Sequence, residues 1–190
     1  MAKAFGIASL LIFALSAVFH FTTYIPAIPV SMNLAGPLHI ATLALFAAMA
    51  FNLAAQQKRE PKRPATGRFA NWIAASEQNR DFQSKVLGFI PLPLRALCVV
   101  AFIYALINFV LFSVLMEGGS PSVENGNYYL HNHGQKIRDL SKEEYQRFSA
   151  YVVRGFSGHW MLFSIIPAAY FLTAYPKLEP SIEPDAEKAI

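Results

Sequence analysis

Between Lys3 and Lys58 the chain carries no Lys, Arg, Asp or Glu. A helix that crosses a bilayer needs about 20 mainly apolar residues, because an unbonded backbone amide in hydrocarbon costs several kcal/mol. The uncharged run is long enough for two such helices, predicted over residues 4–22 and 37–55. Between them, Tyr24-Ile-Pro-Ala-Ile-Pro29 holds two prolines, which cannot donate to a helix. Pro37 suits the first turn of the second helix, where its missing N–H costs nothing. Two later apolar runs, neither with an acidic residue, predict a third span over 94–116 and a fourth over 156–175. Lys3 and Ala14-Leu15-Ser16 also resemble the basic start and cleavage site of a secretory signal. The apolar residues continue well past that point, which favours a retained helix.

The segments between the spans differ in character. The loop over 56–93 opens with Gln56–Pro64, charged and punctuated by proline, and is expected there to be extended and solvated. Arg68–Ser76 places Phe69, Trp72 and Ile73 on one helical face, which suits a short helix in the membrane interface or one packed under the bundle. Gly88-Phe-Ile-Pro-Leu-Pro93 turns the chain into the third span. In the segment over 117–155, Gly118-Gly-Ser-Pro121 reads as a flexible exit. Asn127–Leu130 and Gln135–Arg138 flank His131-Asn-His-Gly134 as the arms of a β-hairpin. Ser141-Lys-Glu-Glu144 is a capping box, so the fourth helix is expected to start at Lys142, ahead of its membrane part. Tyr145, Phe148, Val152 and Phe156 then form an apolar stripe against which the hairpin can lean. Gly155 and Gly158 are expected to bend this helix and Pro167 to kink it.

These elements describe an all-α integral membrane protein. It is a four-transmembrane-helix bundle in one domain over 1–175, with a small outward β-hairpin and a helix extension between helices 3 and 4. Residues 176–190 are expected to form a flexible cytoplasmic tail. Composition agrees, with 54% hydrophobic and 15% charged residues against about 45–50% and about 25% in soluble domains. The lone Cys98 excludes a disulfide framework.

The net charge of +4 is unevenly placed. Eight basic residues, counting Arg95 at the start of span three, face three acidic ones between spans two and three, while five face five between spans three and four. Basic loops stay in the cytoplasm. Both termini and the basic loop are therefore expected to be cytoplasmic, in a cell inner (plasma) membrane, with the hairpin outside. The charge is a topology signal, and no nucleic acid is expected as a partner. The expected partners are the lipid bilayer and either a second copy of the chain or another membrane protein.

All five histidines fall on the outward side of this topology. His20, His39 and His159 lie near span ends, where imidazoles from neighbouring helices could bind haem b or copper or zinc. His131 and His133, two apart on a strand, would share a face and add metal ligands. No spacing matches an HExxH or zinc-finger motif, and imidazoles also serve at interfaces by bonding helix ends and water. Ser9, Ser16 and His20 form a narrow stripe on span one that is expected to face the bundle. Asn52, Tyr104 and Asn108 are expected to link helices by hydrogen bonds. The pairs Ala44/Ala48 and Ala50/Ala54 permit close helix approach, expected inside the bundle.

The spans hold no acidic residue or lysine in their interior, which argues against an ion-coupled transporter. No nucleophile elbow, P-loop or dinucleotide fingerprint is present, and Cys98 in an apolar helix is expected to be inert. An enzyme would have to use His20, His39 or His159 as a base without an evident acid partner. The expected function is a non-catalytic accessory or complex subunit acting through the outer cap and the bundle. The alternative is a haem- or metal-binding redox membrane protein using the outward histidines.

Overall fold

The computed structural model describes residues 1–25, 28, 35–61 and 64–179. The expectations for Pro26, Pro29, Lys62, Arg63 and most of the tail (180–190) lie outside the described residues. Four helices are long and apolar enough to cross a membrane. They are α1 (Ala2–Thr22), α2 (Ala35–Arg59), α4 (Leu92–Leu115) and α5, which starts at Lys142 and runs on to Leu178. A further helix, α3 (Arg68–Phe89), lies between α2 and α4.

α5 is the axle. Its regular part, Lys142–Ala169, passes into a π-helical turn over Tyr170–Ala174 and a short last helix, α6 (Tyr175–Leu178). α1, α4 and α2 each pack chiefly on α5 and much less on one another. The side chains of α5 explain this. Ser157, Gly158, Ser164 and Ala168 are small and buried, so the other helices can come close. A methyl group added at Gly155 would sit 2.6 Å from Phe112 of α4, and one at Gly158 would collide with Asn108. The two glycines therefore seat α4. α5 continues as one helix through both.

α1 presents Gly6, Ser9, Ser16 and His20 inward, as its polar stripe predicts. α4 touches the bundle along one stripe, with Ala105 and Asn108 buried, and exposes Val99, Ile103, Val110 and Val114. α2 departs from expectation in two ways. It continues through Gln56–Arg59, where the sequence suggested extended chain. It also leaves Ala44, Ala50 and Ala54 exposed, so these small residues do not serve packing inside the bundle. α3 is longer than the Arg68–Ser76 segment. Phe82 and Val86 in its second half are buried, while Phe69 and Trp72 in its first half are stacked on each other and exposed.

The segment between α4 and α5 is a three-stranded antiparallel sheet: β1 (Ser120–Glu124), β2 (Asn127–Asn132) and β3 (Gln135–Asp139). The sequence suggested a two-stranded hairpin and a flexible exit over Gly118–Pro121. Pairing of Glu124 with Asn127 instead closes an Asn125-Gly126 turn with φ of 50° and 80°. That dipeptide is the strongest short-range signal for a type I′ hairpin. The sheet lies on a small core of Met116, Leu130, Leu140, Phe148 and Val152. Phe156 is not part of that core; it packs against His39, Phe112 and Trp160 instead.

Candidate functional site

The densest polar cluster lies where α1, α4 and α5 meet near the sheet end of the bundle. His20 is fully buried there. Its Nδ1 is 2.9 Å from Ser157 Oγ on α5, and its Nε2 is hydrogen-bonded to the Tyr104 hydroxyl on α4. Both ring nitrogens are thus engaged and one imidazole ties three helices together. One turn along α4, Asn108 Nδ2 donates to the carbonyl oxygens of Arg154 (2.8 Å) and Gly155 (3.2 Å).

Arg154 completes the cluster, and sequence reasoning missed it by counting it as a loop charge. It sits within α5 and donates from Nε to Thr23 Oγ1 (2.9 Å) and from Nη2 to the Thr23 carbonyl (2.7 Å). Its guanidinium lies 3.7 Å from the centre of the Tyr24 ring. A cation placed on the last carbonyls of α1 is matched to the negative end of that helix. Arg154 therefore caps α1 and locks it to α5. Its place inside the proline-free run that begins at the capping box, two residues beyond Val152, was the signal that could have found it.

The remaining histidines are dispersed. His39 Nδ1 accepts from Trp160 Nε1 at 2.9 Å, which makes Nε2 the protonated nitrogen of its neutral ring. His159 Nδ1 donates to the Gly155 carbonyl at 2.8 Å, leaving its Nε2 as an acceptor. His131 lies on β2 opposite Lys136, next to a bulge. His133 is in the β2–β3 turn with φ of 47°. The expected pairing of these two on one strand face therefore fails, because the second histidine is in the turn. Among the described residues no group of three His, Cys, Asp or Glu side chains converges to hold a metal ion.

The sheet is fastened by ionic contacts around the α5 cap. Ser141 Oγ accepts from the Glu144 amide at 3.1 Å, and Glu144 Oε2 accepts from the Ser141 amide at 2.8 Å, completing the capping box. Arg138 on β3 donates to Glu144 Oε1 at 2.9 Å and to Glu117 Oε2 at 3.2 Å, joining the start of α5 to the turn that follows α4. The Ser141 amide and then the Arg138 guanidinium hold the Glu144 carboxyl below its ordinary range.

Asn52 on α2 is hydrogen-bonded by the Tyr170 hydroxyl, at the opposite end of the bundle from the sheet. The expectation that Asn52, Tyr104 and Asn108 bind helices to each other is met at all three positions. No family model, no curated protein and no solved structure matches the chain.

Proposed function

We propose that the chain is a multi-pass protein of the cell inner (plasma) membrane, with both termini cytoplasmic, and that it acts as a non-catalytic accessory or complex subunit. The observation that carries this reading is the outward placement of contact-ready helix surface. Ala44, Ala50 and Ala54 of α2 are exposed rather than spent inside the bundle. Small residues four apart let another membrane helix approach closely. The polar residues near the sheet end support it too, since His20, Asn108 and Arg154 are committed to contacts between the protein's own helices.

Crosslinking in native membranes followed by purification in mild detergent tests the proposal. The expected result is a defined larger species, a second copy or another membrane protein, that is lost in Ala50→Phe and Ala54→Phe. A chain that emerges alone under both treatments overturns the subunit role.

A second reading, a haem- or metal-binding redox protein, keeps one observation in its favour. The Nε2 atom of His159 has no hydrogen-bond partner among the described residues and carries the lone pair a ligand needs, since Nδ1 donates to Gly155. A reduced-minus-oxidised absorption spectrum with metal analysis separates the readings, because colourless, metal-free protein eliminates this one.

A further inference from the structure

At the end of the bundle away from the sheet, α3 does not close fully onto α2 and α5. It leaves a cavity of about 370 Å³, at the small end of the range for ligand pockets, about 300–1,000 Å³. Met49 and Leu53 of α2, Phe82 and Val86 of α3, and Ile166 of α5 give it apolar walls, and among the described residues no charged side chain lines it. The mouth carries three primary amides. Asn79 Oδ1 accepts from Gln57 Nε2 at 3.0 Å and from Gln83 Nε2 at 3.2 Å. That arrangement leaves two amide carbonyls and one NH₂ group available at the rim.

Two independent features single this cavity out. Tyr170, which lines it, is the first residue of the π-helical turn Tyr170–Ala174. Such turns inside α-helices are frequent at functional sites. The same α3 that walls the cavity carries the exposed Phe69–Trp72 stack one half of its length away. Trp in that setting anchors a helix at the level of lipid headgroups. An apolar cavity walled by the same helix, with an uncharged hydrogen-bonding mouth, matches a molecule with a hydrocarbon tail and neutral ester groups behind it.

We infer that this cavity binds one acyl chain of a glycerolipid from the adjoining leaflet, with the glycerol ester region held by Gln57, Asn79 and Gln83. The walls take the tail and exclude water. The Asn79 NH₂ donates to one ester carbonyl, and the second N–H of Gln57 or Gln83 donates to the other. A charged headgroup stays outside, toward the basic last turn of α2 at Lys58 and Arg59. The inference rests on the reading of the chain as a membrane protein.

The test is photolabelling of the full-length protein in vesicles of phosphatidylglycerol and phosphatidylethanolamine. The vesicles contain a glycerolipid with a diazirine in its acyl chain, and the adducts are mapped by peptide mass spectrometry. The α4 segment around Val110–Val114, exposed on the apolar bundle surface, is the internal control. Labelling enriched several-fold on the cavity walls of α2 and α3 relative to that control is the expected result. Leu53→Trp fills the cavity and is expected to abolish the enrichment while leaving the control labelled. Leu87→Trp, at a half-exposed lining position, serves if the first variant does not fold.

Equal labelling of walls and control, or enrichment that survives a folded filled variant, overturns the lipid site. Crosslinks from the walls to another polypeptide also overturn it and assign the cavity to a protein segment. Absence of label on α4 itself would instead overturn the membrane reading on which the inference stands.

Discussion

At the residue scale, burial of polar side chains decides what each one costs or contributes. Ser16 is fully buried, and its hydroxyl has no hydrogen-bond partner among the described residues. An unmet hydroxyl of this kind costs about 1–3 kcal/mol. Ser16→Ala is therefore expected to leave the thermal midpoint in detergent unchanged or to raise it. A clear loss of stability would mean the hydroxyl has found a partner. His20 is the opposite case, with both nitrogens bonded. Side-chain hydrogen bonds between membrane helices average about 0.6 kcal/mol and reach about 1.7 kcal/mol. A double-mutant cycle of His20→Ala and Tyr104→Phe is expected to give a coupling in that range, and strictly additive losses would remove the link between α1 and α4. The inward direction of Ser9, Ser16 and His20 was legible in the sequence, because helical spacing is a local property. The partners were not, since Ser157 and Arg154 lie more than 130 positions further along the chain and only packing brings them near.

At the element scale, the junction of sheet and α5 was partly legible. The capping box at Ser141–Glu144 could be read directly, whereas Arg138 was seen only as a strand residue and β1 was read as a flexible exit. Its Asn-Gly turn gave the signal, but the neighbouring glycines and Pro121 obscured it. The junction should respond to acid. The Glu144 carboxyl is held low by the Ser141 amide and by Arg138. A depressed carboxylate contributes stability above its unfolded value, about 4.3, and loses that contribution as pH falls through the lower folded value. Amide exchange in β3 and the first turn of α5 is therefore expected to be slow at neutral pH and to accelerate below about pH 4 relative to the buried middle of α5. Glu144→Gln is expected to accelerate that exchange already at neutral pH and to flatten its response to acid. Unchanged exchange in the variant would show that Arg138 and the capping box do not fasten the sheet.

At the scale of the whole molecule, the four helices long and apolar enough to cross a membrane were legible because mean hydropathy over a helix length needs no knowledge of neighbours. The axle role of α5 was not read from the sequence, although its signal was there. Span four alone combines Gly155, Ser157, Gly158, Ser164 and Ala168, whereas spans one and three carry large apolar side chains around most of their surface. Small residues mark the helix that others approach, and large ones mark faces turned to lipid. This arrangement ties orientation to one crossing. Residue 66 precedes α3 and residue 125 is the turn of β1 and β2, so only α4 separates them as a membrane crossing. Under the proposed orientation, residue 66 is expected in the cytoplasm and residue 125 outside. With Cys98 replaced by Ser, Asn125→Cys is expected to react with a membrane-impermeant maleimide in intact cells, and Thr66→Cys only after permeabilisation. Reaction in the reverse order would turn the sheet inward. Reaction of both from the same side would mean that α4 does not cross, and the four-span bundle would fail with it.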